Sequence, residues 1–280
     1  MEIRNGHHSL HVTIDGDDAH PPMLLLHGIT ATVRTWEWLV PHLVDRYRLI
    51  RLDFRGHGTS DRTPGHYQPA DYVSDAAAVC RQIAGVPCIV IGHSLGGITA
   101  AALAQRHPEL VRALVLEDPP LGLGRGLDGN SLLDGFRLMR ESVPRLQQSG
   151  ISADVLAGIL AAAPSAVGTA FGDLLHPDAM AAMAAGMLEL DATVLDRVLD
   201  GSMEPAFDPA VPIAVPTLLL TADPSSPDAA ARPPDAERLR AGSPQVEVRV
   251  MAGSCHLVHD ELAQRATFLA EVQRFVDGLG

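Results

Sequence analysis

The sequence predicts an α/β fold: a mostly parallel sheet with helices on both faces, interrupted once by a helical insertion. Three features lead there. Short β-type runs alternate with helical stretches along most of the chain. Several of those runs are continuously apolar, as strands covered on both faces must be. The alternation then stops over residues 120–212 and resumes afterwards. A chain of 280 residues that is 46% apolar can bury one large core, alone or with an insertion.

In chain order, strands are expected at residues 10–14, 23–27, 48–53, 87–91, 113–117, 217–221 and 246–251, with Met-Leu-Leu-Leu at 23–26 and Ile-Val-Ile at 89–91 as the apolar type. Helices are expected at 35–44, 71–84, 95–106 and 234–241, and a last one over 260–279. Residues 120–212 show no convincing strand; they are rich in Ala, Leu and Met, and Gly and Pro divide them into short helical pieces. That length exceeds any loop of a compact domain. The expected organisation is therefore a core of residues 1–119 and 213–280 with a helical cap subdomain of residues 120–212. Its Met139, Met180, Met183, Met187 and Met203 suit packing inside small helices, with a minority left to line a pocket.

Composition narrows the chemistry. The formal net charge is -13, from 34 acidic and 21 basic residues, which argues against nucleic acid and anionic membrane surfaces as partners. Every basic residue is arginine; without lysine there is no Schiff-base or lysine general-base chemistry. The first residues hold no apolar segment of signal-peptide length, and no later stretch is long enough to span a bilayer, so a cytoplasmic protein is expected. Cys80, Cys88 and Cys255 lack metal-type spacing and read as free thiols. Cys255 and its neighbour His256 point in opposite directions on an extended segment, which argues against a direct thiol–imidazole pair. Neither a dinucleotide fingerprint nor metal-ligand spacing occurs, so no cofactor and no metal is expected.

The segment Ile89-Val-Ile-Gly-His-Ser-Leu-Gly-Gly97 runs from a strand into an alanine-rich helix. Such a sharp reversal needs glycine where a Cβ would collide, a steric use sufficient in itself. The same turn lifts the Ser94 hydroxyl clear of the sheet and aims the Leu95 N–H at any oxygen bound beside it, the Gly-x-Ser-x-Gly nucleophile elbow.

Three further segments accompany it: His27-Gly28 at a strand end, Asp53-Phe-Arg-Gly-His-Gly-Thr-Ser60 after the next strand, and Met251-Ala-Gly-Ser-Cys-His256 before the terminal helix. In this order, over nearly the whole chain, the four closely resemble the α/β-hydrolase fold family, in the subgroup with a helical cap. The resemblance implies Ser94 as nucleophile, His256 as its base, and an oxyanion hole from the Ile29 and Leu95 amides. Each has a physical reason: a neutral serine needs a base to attack a carbonyl, imidazole titrates near working pH, and an oxyanion needs preorganised donors. Gly28 lets the backbone approach substrate closely. By the motif spacing His259 ranks behind His256. His27, His57 and His93 stand where the family braces loops with histidine, and Trp36 and Trp38 fall to helix packing.

The triad acid has two candidates. The family usually carries it after the strand that follows the cap, in a Gly-x-x-Asp pattern. Here that strand ends Thr-Ala-Asp-Pro-Ser225, so Ser225 holds the acid's place and Asp223 comes two residues early. A minority takes the acid from the end of the strand after the nucleophile helix, which reads Leu116-Glu-Asp-Pro119 here. Asp118 is thus the first choice and Asp223 the alternative, while Glu117 points to the opposite face.

The implied function is a serine hydrolase that cleaves a small-molecule ester or lactone with an apolar acyl part through an acyl-enzyme at Ser94. Thioesterases, carbon–carbon bond hydrolases and perhydrolases use the same triad. The serine disfavours the dehalogenase and epoxide-hydrolase branches, which carry aspartate at the elbow. A non-enzymatic small-ligand binding protein is the alternative of another class, and intact Ser94 and His256 weigh against it.

Overall fold

The computed structural model describes residues 1–122 and 129–280. Eight strands, β1 (Glu2–Asn5), β2 (His8–Asp15), β3 (Pro22–Leu26), β4 (Arg48–Leu52), β5 (Cys88–His93), β6 (Val111–Glu117), β7 (Thr217–Thr221) and β8 (Val246–Val250), form one sheet ordered β1-β2-β4-β3-β5-β6-β7-β8. The pairs β1–β2 and β2–β4 are antiparallel and all others parallel. The expected strands coincide with β2 to β8. β1 was not expected, because this short edge strand buries a single side chain, Ile3, and leaves no apolar pattern to read.

Ten α-helices follow in chain order: α1 (Val40–Leu43), α2 (Pro69–Val79), α3 (Leu95–Arg106), α4 (Leu132–Ser149), α5 (Ala153–Ala162), α6 (Phe171–Leu174), α7 (Pro177–Glu189), α8 (Asp196–Leu199), α9 (Pro233–Gly242) and α10 (Arg265–Asp277), counted among the described residues. The period of two in each strand sends side chains to alternate faces. Leu24, Leu26, Leu52, Val90, Leu114 and Leu116 pack on one face with α2 and α3. Met23, Leu25, Ile89, Ile91 and Val115 pack on the other with Trp36, Leu39 and the α10 residues Phe268 and Val272. Each such buried side chain contributes about 1.5–3 kcal/mol of transfer free energy. Both faces of the sheet are thus covered, which is why its central strands read as unbroken apolar runs.

Three expected helices depart from the regular form; the one at 71–84 ends, after α2, in a π-helical turn, Cys80–Ala84. The one at 35–44 is a 3-10 turn, Val33–Leu39, leading into α1, and Thr32 caps it by accepting from Arg34 N. The one at 260–279 starts later, at α10. Residues 260 and 262 use their backbone groups on the α6–α7 segment, with His176 N donating to Asp260 O and Leu262 N to Leu174 O, both at 2.9 Å, so these groups do not enter a helix.

Between β6 and β7 lie α4 to α8, with no strand beyond isolated bridges of Pro164 with Ala170 and of Leu175 with Glu261 among the described residues. Residues 123–128 of the expected cap lie outside the described residues. The segment docks on the loop before α10: besides the two backbone bonds above, Arg265 Nη1 meets both oxygens of Asp178 at 2.9 and 2.7 Å. No helix among the described residues is long and apolar enough to cross a membrane. All three cysteines are free and buried.

The β5–α3 turn depends on missing Cβ atoms. A Cβ at Gly96 would collide with the Leu26 carbonyl, and one at Gly92 with the backbone of Gly96 and Gly97. Backbone atoms cannot swing aside, so Gly96→Ala should cost about 3 kcal/mol, the upper part of the usual overpacking range. Thermal unfolding measures this, and a variant with the parent's midpoint contradicts it.

Candidate active site

β5 ends at His93, Ser94 follows with φ 52° and ψ −112°, and α3 starts at Leu95. Among the described residues only Ser94 and Asp118, at φ 40°, have a positive φ without being glycine. Such backbone costs about 1–3 kcal/mol per residue and persists only where its surroundings impose it. For Ser94 they do: its N–H donates to Glu117 O at 2.9 Å, and its own carbonyl accepts from Ile98 N at 3.0 Å. Both strained residues sit at the C-terminal edge of the sheet, at the ends of the adjacent strands β5 and β6.

Asp118 is fully buried. Its Oδ1 accepts from Ala222 N (3.0 Å) and Ala231 N (3.1 Å), and its Oδ2 from Ala230 N (2.8 Å) and His256 Nδ1 (2.6 Å). A carboxylate offers only acceptors, so the proton of this short bond belongs to Nδ1, and Nε2 keeps the basic lone pair of the neutral ring. Burial works against a charged His256 and is the largest influence on it. The Asp118 hydrogen bond and charge, with Asp228 and Glu117 adding theirs, nevertheless raise its pKa above 6.5. Asp228 Oδ1 also accepts from His256 N at 3.3 Å.

His93, the residue before Ser94, ties the serine turn to the His256 loop: its Nε2 lies 3.0 Å from His256 O. No hydrogen bond joins the Ser94 hydroxyl to the His256 ring among the described residues; catalytic hydrogen bonds of this kind often tighten only in the complex with substrate. Ser94 faces a small pocket lined by Ile29, Leu95, Ile98, Phe136, Val198 and Met203 among others. The Leu95 N–H is one of the amides that a helix start leaves without an internal partner. A Cβ on Gly28 would come within 2.8 Å of His93 Nδ1, so glycine lets the Ile29 segment lie against the serine turn.

The remaining sequence candidates fall elsewhere. Asp223 accepts from Ser225 N (2.9 Å), Ser225 Oγ (2.6 Å) and Gly253 N (2.7 Å), and these bonds hold its pKa down at about 2. It shapes a turn and has no bond to His256. His259 is bound to Glu117, with Nδ1 at 2.7 Å from Oε2. His27 Nδ1 donates to Gly28 O at 2.8 Å while Nε2 accepts from Phe54 N at 3.1 Å. His57 Nε2 lies 2.6 Å from Ile29 O. Burial chiefly, with the nearby Glu261 adding, drives the Cys255 thiol far up, so it supplies no thiolate. Trp36 stacks on His259 and Phe268, and the half-buried Trp38 stacks on His259 and meets Phe268 edge-on. Of the methionines in the insertion, Met203 lines the pocket, whereas Met180 and Met187 are core residues. The sequence reading missed Asp228 and the Ala230–Ala231 amides, since backbone donors leave no mark in a side-chain pattern. It also missed Leu132, Phe136 and Val198 as pocket walls.

A family model described as alpha/beta hydrolase fold matches residues 21–262. The 2-(acetamidomethylene)succinate hydrolase of Mesorhizobium japonicum is 41% identical over 98 residues, which is 35% of each chain. The chain spans between about a third and a half of the length of the curated relatives it matches. An enol-lactonase structure from Burkholderia xenovorans aligns with a TM-score of 0.74 at 18% identity, over 99% of this chain and all of that one. An esterase structure from a Rhodococcus species aligns with a TM-score of 0.73 at 25% identity, over 100% of this chain and 98% of that one.

The geometry around His256 is directly measurable. Its ring should titrate above 6.5 in the folded protein, and Asp118→Asn, by removing the strongest raising influence and leaving burial, should bring it down. Because the folded value is raised, the stability it contributes is fully present below the unfolded value and is lost as pH rises through the folded one. Imidazole NMR across the titration tests this; a parent ring titrating at or below 6.5 contradicts it.

Proposed function

Because the chain belongs to the α/β-hydrolase fold family, we propose that it hydrolyses an ester or lactone with an apolar acyl part through an acyl-enzyme at Ser94. The observation that carries this reading is the 2.6 Å bond from His256 Nδ1 to the buried Asp118 carboxylate, on the sheet edge beside the strained serine. In this reading Asp118 holds the ring in the tautomer with a free Nε2. His256 takes the Ser94 proton as Oγ adds to the substrate carbonyl carbon, and the Ile29 and Leu95 amides hold the resulting oxyanion. Collapse breaks the bond to the leaving alkoxide, which receives the proton from His256. Water then attacks the acyl-enzyme with His256 again as base, releasing the acid and restoring Ser94.

The apolar walls of the pocket support an apolar acyl part. Leu132, Phe136, Val198 and Met203 come from residues 120–212, which in this reading cap a core of residues 1–119 and 213–280. The name of the Mesorhizobium relative denotes a dicarboxylate. The described walls of this pocket are apolar, and the proposal follows them rather than that name. The Rhodococcus esterase supports ester chemistry. Thioester, carbon–carbon and peracid chemistry would use the same three residues, and esters rank first because their leaving groups need least assistance. The strongly acidic chain is assigned a small-molecule substrate in the cytoplasm.

With p-nitrophenyl butyrate as substrate, Ser94→Ala should abolish turnover while the fold persists. Asp118→Asn should lower kcat by about ten-thousand-fold, the scale of that change in a serine triad, and Asp223→Asn should stay close to the parent. Steady-state rates on folded variants decide it: more than trace activity in Ser94→Ala, or a dead Asp223→Asn beside an active Asp118→Asn, overturns the assignment.

A further inference from the structure

Glu117 and His259 form a second histidine–carboxylate pair directly behind the first. Both side chains are fully buried. Glu117 Oε1 accepts from His259 N at 2.9 Å, and the two carboxylate oxygens lie 2.9 and 2.7 Å from His259 Nδ1. The backbone carbonyl of the same Glu117 accepts the Ser94 N–H at 2.9 Å. One residue is therefore bonded through its main chain to the serine turn and through its side chain to the loop that carries His256. The His259 ring extends the link: Nε2 lies 2.8 Å from Thr35 Oγ1, and the ring stacks on Trp36 with centroids 4.5 Å apart. Thr35 and Trp36 belong to the turn that follows Ile29.

We propose that the Glu117–His259 pair is a positioning unit, which fixes the His256 loop relative to Ser94 and the Ile29 segment and so sets the rate of serine acylation without touching the substrate. The inference rests on the serine-hydrolase reading above. Both side chains are closed off from solvent and from the Ser94 pocket by burial, so substrate contact does not explain them. Nor does core filling, since a buried carboxylate and imidazole are costly unless their polar atoms are matched, and an apolar pair fills space without that requirement. What a matched polar pair adds is direction: one carboxylate accepts from two donors of His259, its backbone N–H and its Nδ1–H, and so orients the 256–260 loop. An ångström of misplacement in a reacting group is enough to cost about a hundredfold in rate.

The pair also sits among charges that bear on His256. Around it are Asp118 and His256, His93 with ring centroids 5.2 Å from His259, and Asp260 with Oδ1 3.4 Å from His259 Nε2. Arg265 Nε donates to His259 O at 3.0 Å, and Asp178 pairs with Arg265 from α7. Burial opposes a charged His256 most, the Asp118 bond and charge oppose burial, and the charges of Asp228, which accepts from His256 N, and then of Glu117 add to theirs. Removing that charge while keeping the side chain's shape should move the acidic limb of kcat/KM to lower pH.

The test uses the full chain with p-nitrophenyl butyrate kinetics from about pH 5 to about pH 9 and the rate of Ser94 labelling by a fluorophosphonate. Glu117→Leu and His259→Phe, which fill the space without the bonds, should lose about a hundredfold in kcat and in labelling rate, with KM little changed. Glu117→Gln, which keeps an acceptor for the His259 amide, should retain most of the rate and show the lowered acidic limb. If the parent is labelled and the folded Leu and Phe variants are labelled equally fast, the pair is structural only and the inference fails. Should those two not fold, Glu117→Gln decides: a pH profile identical to the parent's overturns the inference. A parent that no fluorophosphonate labels overturns the serine-hydrolase reading itself, and this inference with it.

Discussion

A carboxylate buried at the end of β6 has no water to stabilise its charge, so the protein must supply donors. Asp118 receives four, from Ala222, Ala230, Ala231 and His256. These belong to three separate segments, the turn after β7, the stretch before α9 and the loop after β8, and one charge fixes them all. The imidazole is the only titratable donor of the four. Its orientation, its tautomer and its raised pKa all follow from this bond and the burial around it.

The sheet brings the participants to that point. β5, β6 and β7 are parallel neighbours, so their C-terminal ends deliver the serine turn, Glu117 with Asp118, and the Ala222 amide to one edge. Two consecutive carboxylates at the end of β6 face two histidines three residues apart in one loop. The left-handed backbone of Asp118 belongs to the same solution: the chain bends after Glu117, and the two side chains go to different rings. Strain at Ser94 and Asp118 and the crowding around Gly92 and Gly96 are local costs that the packed sheet sustains.

Much of this was legible in the sequence, for physical reasons. Strands covered on both faces must be apolar throughout, so β3, β5 and β7 were plain, and α3 was plain because it starts at a glycine-bounded turn. β1 buries one side chain and leaves no pattern. The end of the expected helix at 260–279 was unreadable because tertiary bonds to residues 174 and 176 determine it. The Asp118–His256 contact agrees with the spacing of Asp118 from Ser94 and with the serine at position 225. The amides that hold Asp118, and the bond between Glu117 and His259, were beyond sequence reasoning. Backbone donors carry no residue signature, and a glutamate expected to face away reveals nothing of its partner. The pocket walls from α4 and α8 were hidden likewise, since composition shows that a segment is apolar but not which of its side chains cross over the serine.

Covalent capture of the acyl-enzyme tests the proposed chemistry most directly. A p-nitrophenyl carbamate acylates a reactive serine and then leaves it slowly, so the adduct accumulates for mass spectrometry. The expected result is one equivalent of p-nitrophenolate released, with the carbamoyl mass confined to the peptide that contains Ser94. Inactivation with the group on any other residue, or continued ester turnover with no adduct on Ser94, would contradict it.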